Sequence, residues 1–564
     1  MRKLIWAFYL KVNHFVLFFR KIFGRLFFWE KIVVLVLMLV IAASAFGWGI
    51  LSKKGGIKPE FGGIYIEGII GAPKNLNPLF AQSNSERDIG NLVYSGLLKY
   101  DQRHQIVPDL AERWEVKDDG KKYTFYLKKN IYWQDGKTFS ADDLIFTTDI
   151  LKNKDYTGPK ASVLQEVEIK KINDYTVEFN LLQPFAPFIS NLTFKILPRH
   201  LWQNVVINNL ADSEINRKPI GTGPFKISEI KFLKDGTISQ ILFSANRDYY
   251  AGRPYLEGVI FKYYNDPKQL VAAYKNQEVM GISRVELGQL DEIKDLKSLN
   301  ILQIKLPQYI ALFLNTQGDV LKSKDIRRAV TMAVDKNKII NEIFKNNARA
   351  IGGPILPGSL GYSDKFQKEV FNPNEARSLL DQAGWIDSDN NGIRDKNGKE
   401  LKFVFVSGNE NVYLKTAQMI ISNLSEIGIG TDFIEAPAAV LQVKYIKEKK
   451  YDLLLFGENL GADPDPYEFW HSSQAESGLN LSLLKNAEVD KLLEEARQTS
   501  DAAIRTKDYE NFQEIIADES PAVFLCQPYY LYGLGKRLKG VELLTLNEPS
   551  ERFTNINRWY LRTD

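Results

Sequence analysis

The chain has 564 residues, 45% hydrophobic and 25% charged, which is soluble globular usage at a length too great for one ordinary core. Its net charge of +4 is unevenly spread: residues 1–54 hold nine Lys/Arg against Glu30 alone, which leaves about −4 for the remainder and excludes a basic nucleic-acid surface there. The single cysteine, Cys526, excludes an intrachain disulfide and any Cys-based zinc site.

In chain order, the first element is the run from Ile32 to Leu51, twenty residues without a charge. At ~1.5 Å per helical residue it crosses a ~30 Å hydrocarbon layer, so it predicts one transmembrane helix. Basic residues crowd its N-terminal side, which leaves residues 1–31 as a basic, aromatic cytoplasmic segment suited to the inner leaflet and everything after Lys54 outside. Ala43-Ser44-Ala45 also fits a signal-peptidase site, but the long lead and long apolar run favour an uncleaved anchor. No cysteine stands at the end of the run, the single one being Cys526, so lipoprotein anchoring is excluded.

A Gly-containing linker covers 52–63, after which strands and helices mix without regular βα alternation, the mark of a mixed α/β (α+β) fold. Tyr123, Phe125 and Leu127 alternate with Thr124, Tyr126 and Lys128 as a half-buried strand requires, with Asp119-Gly120 as the turn before it. A second strand pair straddles Asn173-Asp174. In the second half, Ile326, Ala329, Val330 and Ala333 recur at helical spacing along KDIRRAVTMAVDKNKIINEIF, read as one helix. Further helices run through NPNEARSLLDQAGW, with Pro373 in the first turn and Gly384 as the stop, through VDKLLEEARQ, and around YENFQEIIADESP, ending before Pro521.

The order of motifs resembles one family. Leu76-Asn77-Pro78-Leu79, Val93-Tyr94-Ser95-Gly96-Leu97 and Pro108-Asp109-Leu110-Ala111-Glu112-Arg113-Trp114 lead into the block YTFYLKKNIYWQDGKTFSADDLIF. Leu197-Pro198-Arg199-His200-Leu201-Trp202, Gly221-Thr222-Gly223-Pro224-Phe225 and Ala245-Asn246-Arg247-Asp248-Tyr249-Tyr250 follow. Leu312-Phe313-Leu314-Asn315-Thr316, Ile326-Arg327-Arg328-Ala329-Val330, Ala383-Gly384-Trp385 and Asp490-Lys491-Leu492-Leu493 complete the series. Taken in this order they resemble the family 5 extracellular solute-binding proteins, which include the oligopeptide- and dipeptide-binding receptors of ABC importers.

The resemblance implies a two-lobed, periplasmic-binding-protein type II-like fold with a hinge. Lobe I would take residues 64–306, with a subdomain inserted at about 104–216, lobe II residues 307–520, and residues 521–564 would return to lobe I. It implies a non-enzymatic, monomeric receptor at the outer face of the cytoplasmic membrane that hands peptides to ABC permease subunits. Asp463, in Gly461-Ala462-Asp463-Pro464-Asp465-Pro466-Tyr467, is nominated to meet a peptide's α-ammonium through a charge-assisted hydrogen bond. The aromatic that often precedes this acid is replaced near Leu460-Gly461, and Asp465 competes for the role. Asn77, Asn315 and Tyr467 are further cleft candidates. Receptors for a metal chelate or an oligosaccharide, and a surface hydrolase or chaperone on the same scaffold, stand as alternatives.

Other signals point less far. Gly221-Thr222-Gly223 lacks the Gly-Lys-Ser/Thr ending of a phosphate loop and suits a chain reversal. In the 387–395 loop Asp387, Asp389, Asn391 and Asp395 occupy calcium-loop positions around Gly392, but Gly398 stands where a bidentate Glu belongs, so an Asx-rich surface turn competes with a calcium site and no other cofactor is expected. The four histidines include no pair spaced for a metal on one helix. No Gly-x-Ser-x-Gly elbow occurs, Cys526 lies in an apolar run, and Asp142-Asp143 reads as a solvated helix start.

Overall fold

The computed structural model describes residues 59–159, 162–367 and 371–562, together with Phe27, Trp29, Glu30, Ile32, Val33, Val36, Leu39 and Val40. The chain divides into two compact units, Met1–Pro59 and Glu60–Asp564. In the first, the described residues from Trp29 to Val40 are helical and the Phe27 N–H donates to Glu30. Most of the expected 32–51 membrane span lies outside the described residues; among those described, no helix is long and apolar enough to cross a membrane.

The second unit is built on a sheet of twelve strands. Its main strands are β1 (Ile64–Ile70), β2 (Phe225–Phe232), β3 (Ile238–Ala245), β4 (Gly258–Tyr264), β5 (Gly281–Ile282), β6 (Leu299–Lys305), β7 (Gln308–Leu314), β8 (Ala348–Ala350), β9 (Lys402–Gly408), β10 (Gly430–Ala436), β11 (Leu453–Asn459) and β12 (Ala522–Gly535). The order across the sheet is β10-β9-β11-β7-β12-β5-β1-β4-β3-β2, with β6 and β8 also paired to β12. Mixed parallel and antiparallel pairing agrees with the irregular strand-helix pattern of the sequence.

Strand β12 carries the architecture. Its first residues, Ala522 to Cys526, pair with β7, and its last, Tyr529 to Gly535, pair with β6. The apolar interior divides on either side of that change. One large cluster gathers Tyr65, Phe125, Trp133, Phe243 and Trp559, with a smaller one around Leu270 and Ile293. Two others hold the β7 side, where alternation sends Ile310, Leu312 and Leu314 to one face and Tyr309, Ala311 and Phe313 to the other. We call the two groups lobe I and lobe II. A four-stranded antiparallel sheet formed by Ala111–Lys117, Lys122–Leu127, Glu168–Asn173 and Thr176–Asn180 adds to lobe I.

The expected local elements are largely present, with one correction. The pair around Asn173-Asp174 forms, and the 118–120 turn holds Asp118, Asp119 and Gly120 at positive φ. The helix read as continuous from Lys324 breaks in two, α1 (Lys324–Ala333) and α2 (Lys336–Glu342). Val334 is extended there, and the Asp335 side chain accepts from the Lys338 N–H, so Asp335 starts a new helix as its N-cap. The later helices are α3 (Pro373–Gln382), α4 (Asn411–Glu426), α5 (Ala487–Arg497) and α6 (Ala502–Glu519), the last stopped by left-handed Ser520 before Pro521.

Gly221 and Gly223 serve close packing. A Cβ at Gly221 would lie 1.8 Å from the Val93 carbonyl oxygen and one at Gly223 2.5 Å from that of Leu92, and the Gly223 N–H donates to Val93.

Candidate functional site

A cavity of about 890 Å³ opens between the lobes. Its floor is the start of β7, residues 308–310, and residues 528–531 of β12; one wall carries Arg284 and Glu286 from lobe I and the other Glu410 and Tyr413 from lobe II. Gly457 admits the Tyr413 hydroxyl at this wall, since a Cβ there would lie 2.5 Å from it. A cleft of this volume, lined by mixed polar and apolar groups and sited at a lobe boundary, is what a solute site requires.

At the floor, Glu458 of β11 stands directly across from Tyr309 of β7. The Tyr309 hydroxyl donates to the Glu458 carboxylate, which burial pushes up to about 8. Neither residue was among those singled out from sequence. The available signal was an acid at the interior phase of an apolar strand, Leu453 to Phe456, but its partner is 149 residues away.

A second cavity, of about 630 Å³, lies between the lobe I segment around Phe185 and helix α5. Arg497 spans it. The guanidinium sits 4.0 Å from the Tyr467 ring centre and 5.1 Å from that of Phe185, while its Nε donates to Asp465 at 2.8 Å. Burial raises the Asp465 carboxyl above its usual range, with Arg497 opposing.

The five residues nominated from sequence fall in different places. Asp463, in the loop after β11, accepts from Arg505 of α6 through Nη2 at 2.5 Å and Nη1 at 3.2 Å. Burial works against the Arg505 charge, but Asp463 more than offsets it, so the guanidinium is held cationic. Tyr467 lines the second cavity and stacks on His471 at 4.1 Å. Asn315 closes the end of β7, its Nδ2 donating to the Tyr451 carbonyl and its Oδ1 accepting from the Gln317 N–H. Asn77 is buried and caps a short turn through the Leu79 N–H, and its Nδ2 has no hydrogen-bond partner among the described residues. None of the five lines the larger cavity.

In the 387–395 loop the carboxylates face inward to backbone donors: Asp387 accepts from the Asn391 and Gly392 N–H groups, Asp389 from Asn391, and Asp395 from Ser388. Among the described residues no group of three or more His, Cys, Asp or Glu is placed to hold a metal ion.

The comparisons with known proteins agree with one another. The family model described as bacterial extracellular solute-binding proteins, family 5 Middle, matches residues 105–480. The oligopeptide-binding protein AppA of Bacillus subtilis (strain 168) is 32% identical over 541 residues, 94% of this chain and 97% of that protein. The dipeptide-binding protein of Escherichia coli (strain K12) is 26% identical over 497 residues, 83% of this chain and 90% of that one. Among solved structures, Bacillus subtilis AppA in complex with a nonapeptide matches with a TM-score of 0.70 at 32% identity, covering 90% of this chain and all of that one. NikZ from Campylobacter jejuni in complex with Ni(L-His) matches with a TM-score of 0.72 at 28% identity, covering 89% and 100%.

Proposed function

The chain belongs to the bacterial extracellular solute-binding proteins, family 5, and from that membership we propose that it is an extracytoplasmic receptor that captures oligopeptides between its lobes and delivers them to an ABC permease. The observation that carries this reading is a cavity of about 890 Å³ between the lobes, in a chain aligned over 94% of its length with an oligopeptide-binding relative. The solute leaves unchanged, and the receptor has no catalytic step.

The physical logic is a population shift. Ligand in the cleft makes more contact when the lobes are shut, so its differential affinity favours the closed form, which the permease reads. Pairing the ligand as an added strand uses main-chain groups that every peptide shares. Arg497 supports closure, because it binds Asp465 and Tyr467 of lobe II while lying over Phe185 of lobe I. In this reading Asp463, though it lines neither cavity, meets the α-ammonium once the lobes shut, with Arg505 donating to both carboxylate oxygens and fixing their orientation. The 32–51 run anchors the receptor by a single membrane helix, with residues 1–31 inside the cell.

Calorimetry on the full chain in detergent, with peptides and their N-acetylated counterparts, tests the proposal. Free peptides bind, acetylation weakens them by ~10- to 100-fold, the worth of one charge-assisted hydrogen bond, and Asp463→Asn erases that difference. Absence of heat with every peptide refutes the receptor reading; an undiminished acetylation effect in Asp463→Asn refutes the role of Asp463.

A further inference from the structure

Glu458 combines three properties that together go beyond general peptide capture. It is 4% exposed, on a strand face where Leu454 is packed into the lobe II core. One of its carboxylate oxygens, Oε2, accepts from the Tyr309 hydroxyl, while the other, Oε1, is buried with no hydrogen-bond partner among the described residues. Both Glu458 and Tyr309 border the inter-lobe cavity. Buried acceptors are nearly always satisfied, and one left open beside a ligand cavity is short of a donor that the ligand can bring.

The surrounding charge indicates what kind of donor. Five acids border the cavity, Asp266, Glu286, Glu292, Glu410 and Glu458, against two cations, Lys268 and Arg284. Arg284 and Glu286 pair with each other at 3.0 Å and Glu292 pairs with Lys275 at 3.2 Å, which leaves Asp266, Glu410 and Glu458 against Lys268. The charged and titratable groups whose fields reach Glu458 are Tyr309 of β7, Tyr451 beside β11, and Lys449. The Lys449 ammonium is directed to the carbonyls of Gly478 at 2.9 Å and Asn480 at 3.4 Å. The cavity therefore favours a cation, and Glu458 has an acceptor to offer it.

We propose that Glu458 is a specificity-determining residue of the cleft, its Oε1 accepting a hydrogen bond from the cationic side chain of a lysine or arginine in the bound peptide. The proposal rests on the peptide-receptor reading above. It makes the receptor one that prefers basic peptides, with the Tyr309 hydroxyl holding the carboxylate in place through its other oxygen.

The test compares matched peptides that differ only by lysine in place of norleucine, with the position varied along the peptide, titrated into the full chain in detergent. At one position or more, lysine binds ~10-fold tighter or better, as a charge-assisted hydrogen bond supplies. Glu458→Gln reduces that ratio to near unity, whatever the norleucine peptide's own affinity becomes, whereas Tyr309→Phe, which keeps the carboxylate, retains the preference. Because each ratio is taken within one protein, partial misfolding of a variant does not imitate the result. A readout on the unmodified chain backs it: Glu458 is pushed up to about 8 by burial, and free lysine titrates near ~10.4. The lysine preference therefore grows as pH rises from about 6.5 to 9 and the carboxyl ionises. Binding with no lysine preference at any position, a preference unchanged in Glu458→Gln, or a preference flat across that pH range overturns this inference and leaves the receptor reading standing. Failure of all peptides to bind overturns both.

Discussion

Replacing Arg552 with methionine should destabilise lobe I by ~3–5 kcal/mol, the cost of leaving buried charge without its counter-ion. Arg552 is 1% exposed and lies between Glu67 at 0% and Asp88 at 1%. It donates to Glu67 at 3.0 and 2.8 Å, to Asp88 at 2.7 and 2.6 Å, and to the Pro549 carbonyl at 2.8 Å. It is thus the cation that joins the C-terminal return to β1 and to the Asn84–Val93 helix. Methionine keeps most of the volume but leaves two carboxylates in a dry interior, where the Tyr65 and Tyr532 hydroxyls donate to Glu67 and not to Asp88. Urea unfolding followed by tryptophan fluorescence measures the loss as a drop in midpoint at unchanged slope. If uncompensated charge is the cause, adding Glu67→Gln and Asp88→Asn to Arg552→Met restores a large part of the stability, because neutral groups of similar shape do not need the cation. A loss below ~1 kcal/mol, or a triple variant no more stable than the single one, refutes the reasoning.

Two acids and one guanidinium also make this network a proton acceptor. Burial pushes the Asp88 carboxyl up to about 6 against the opposing pull of Arg552, above the ~3.9 of an unfolded aspartate. The stabilisation that comes from protonating it is full below the unfolded value and is lost as pH rises through about 6; the difference in unfolding free energy between wild type and Asp88→Asn should bend across pH 4 to 7, and parallel profiles would contradict this. Gly221→Ala should cost ~1–3 kcal/mol by pressing a methyl into the Val93 carbonyl 1.8 Å away. Gly288→Ala, with nothing within 4 Å of the new Cβ, serves as its control, and equal midpoints for the two variants would show that the 221–223 crossing is looser than its geometry.

Local order was readable in the sequence wherever one strand or one helix face set the pattern. Tyr123, Phe125 and Leu127 alternate and are buried as their spacing requires, and Pro373 and Gly384 bracket their helix. The α1–α2 break was hidden because apolar spacing runs through Val334 while the decisive event is a capping bond that the Lys338 N–H donates to the Asp335 carboxylate. The acids of the 460–466 loop stood out by composition, yet nothing local indicates that Arg505, 42 residues on, comes back to bind Asp463. Glu458 was missed for the same reason in stronger form, since burial of an acid becomes visible only once Tyr309 is placed opposite it.

The pairing of β12 sets the kind of motion open to the lobes. A fourteen-residue strand runs from one lobe into the other, and Pro528, which has no N–H to give, stands between its β7-paired and β6-paired stretches. Residues 306 and 307 make a second crossing beside it, running in the opposite direction and tied by the Gln527 side-chain donation to the Leu306 carbonyl at 2.7 Å. Two adjacent ribbons joined crosswise bend easily about the line between them and resist torsion and sliding, much as a leaf flexure does in an instrument. In the proposed receptor a guest molecule would then work against a single soft coordinate, and shutting would be reproducible in direction whatever side chains it carries.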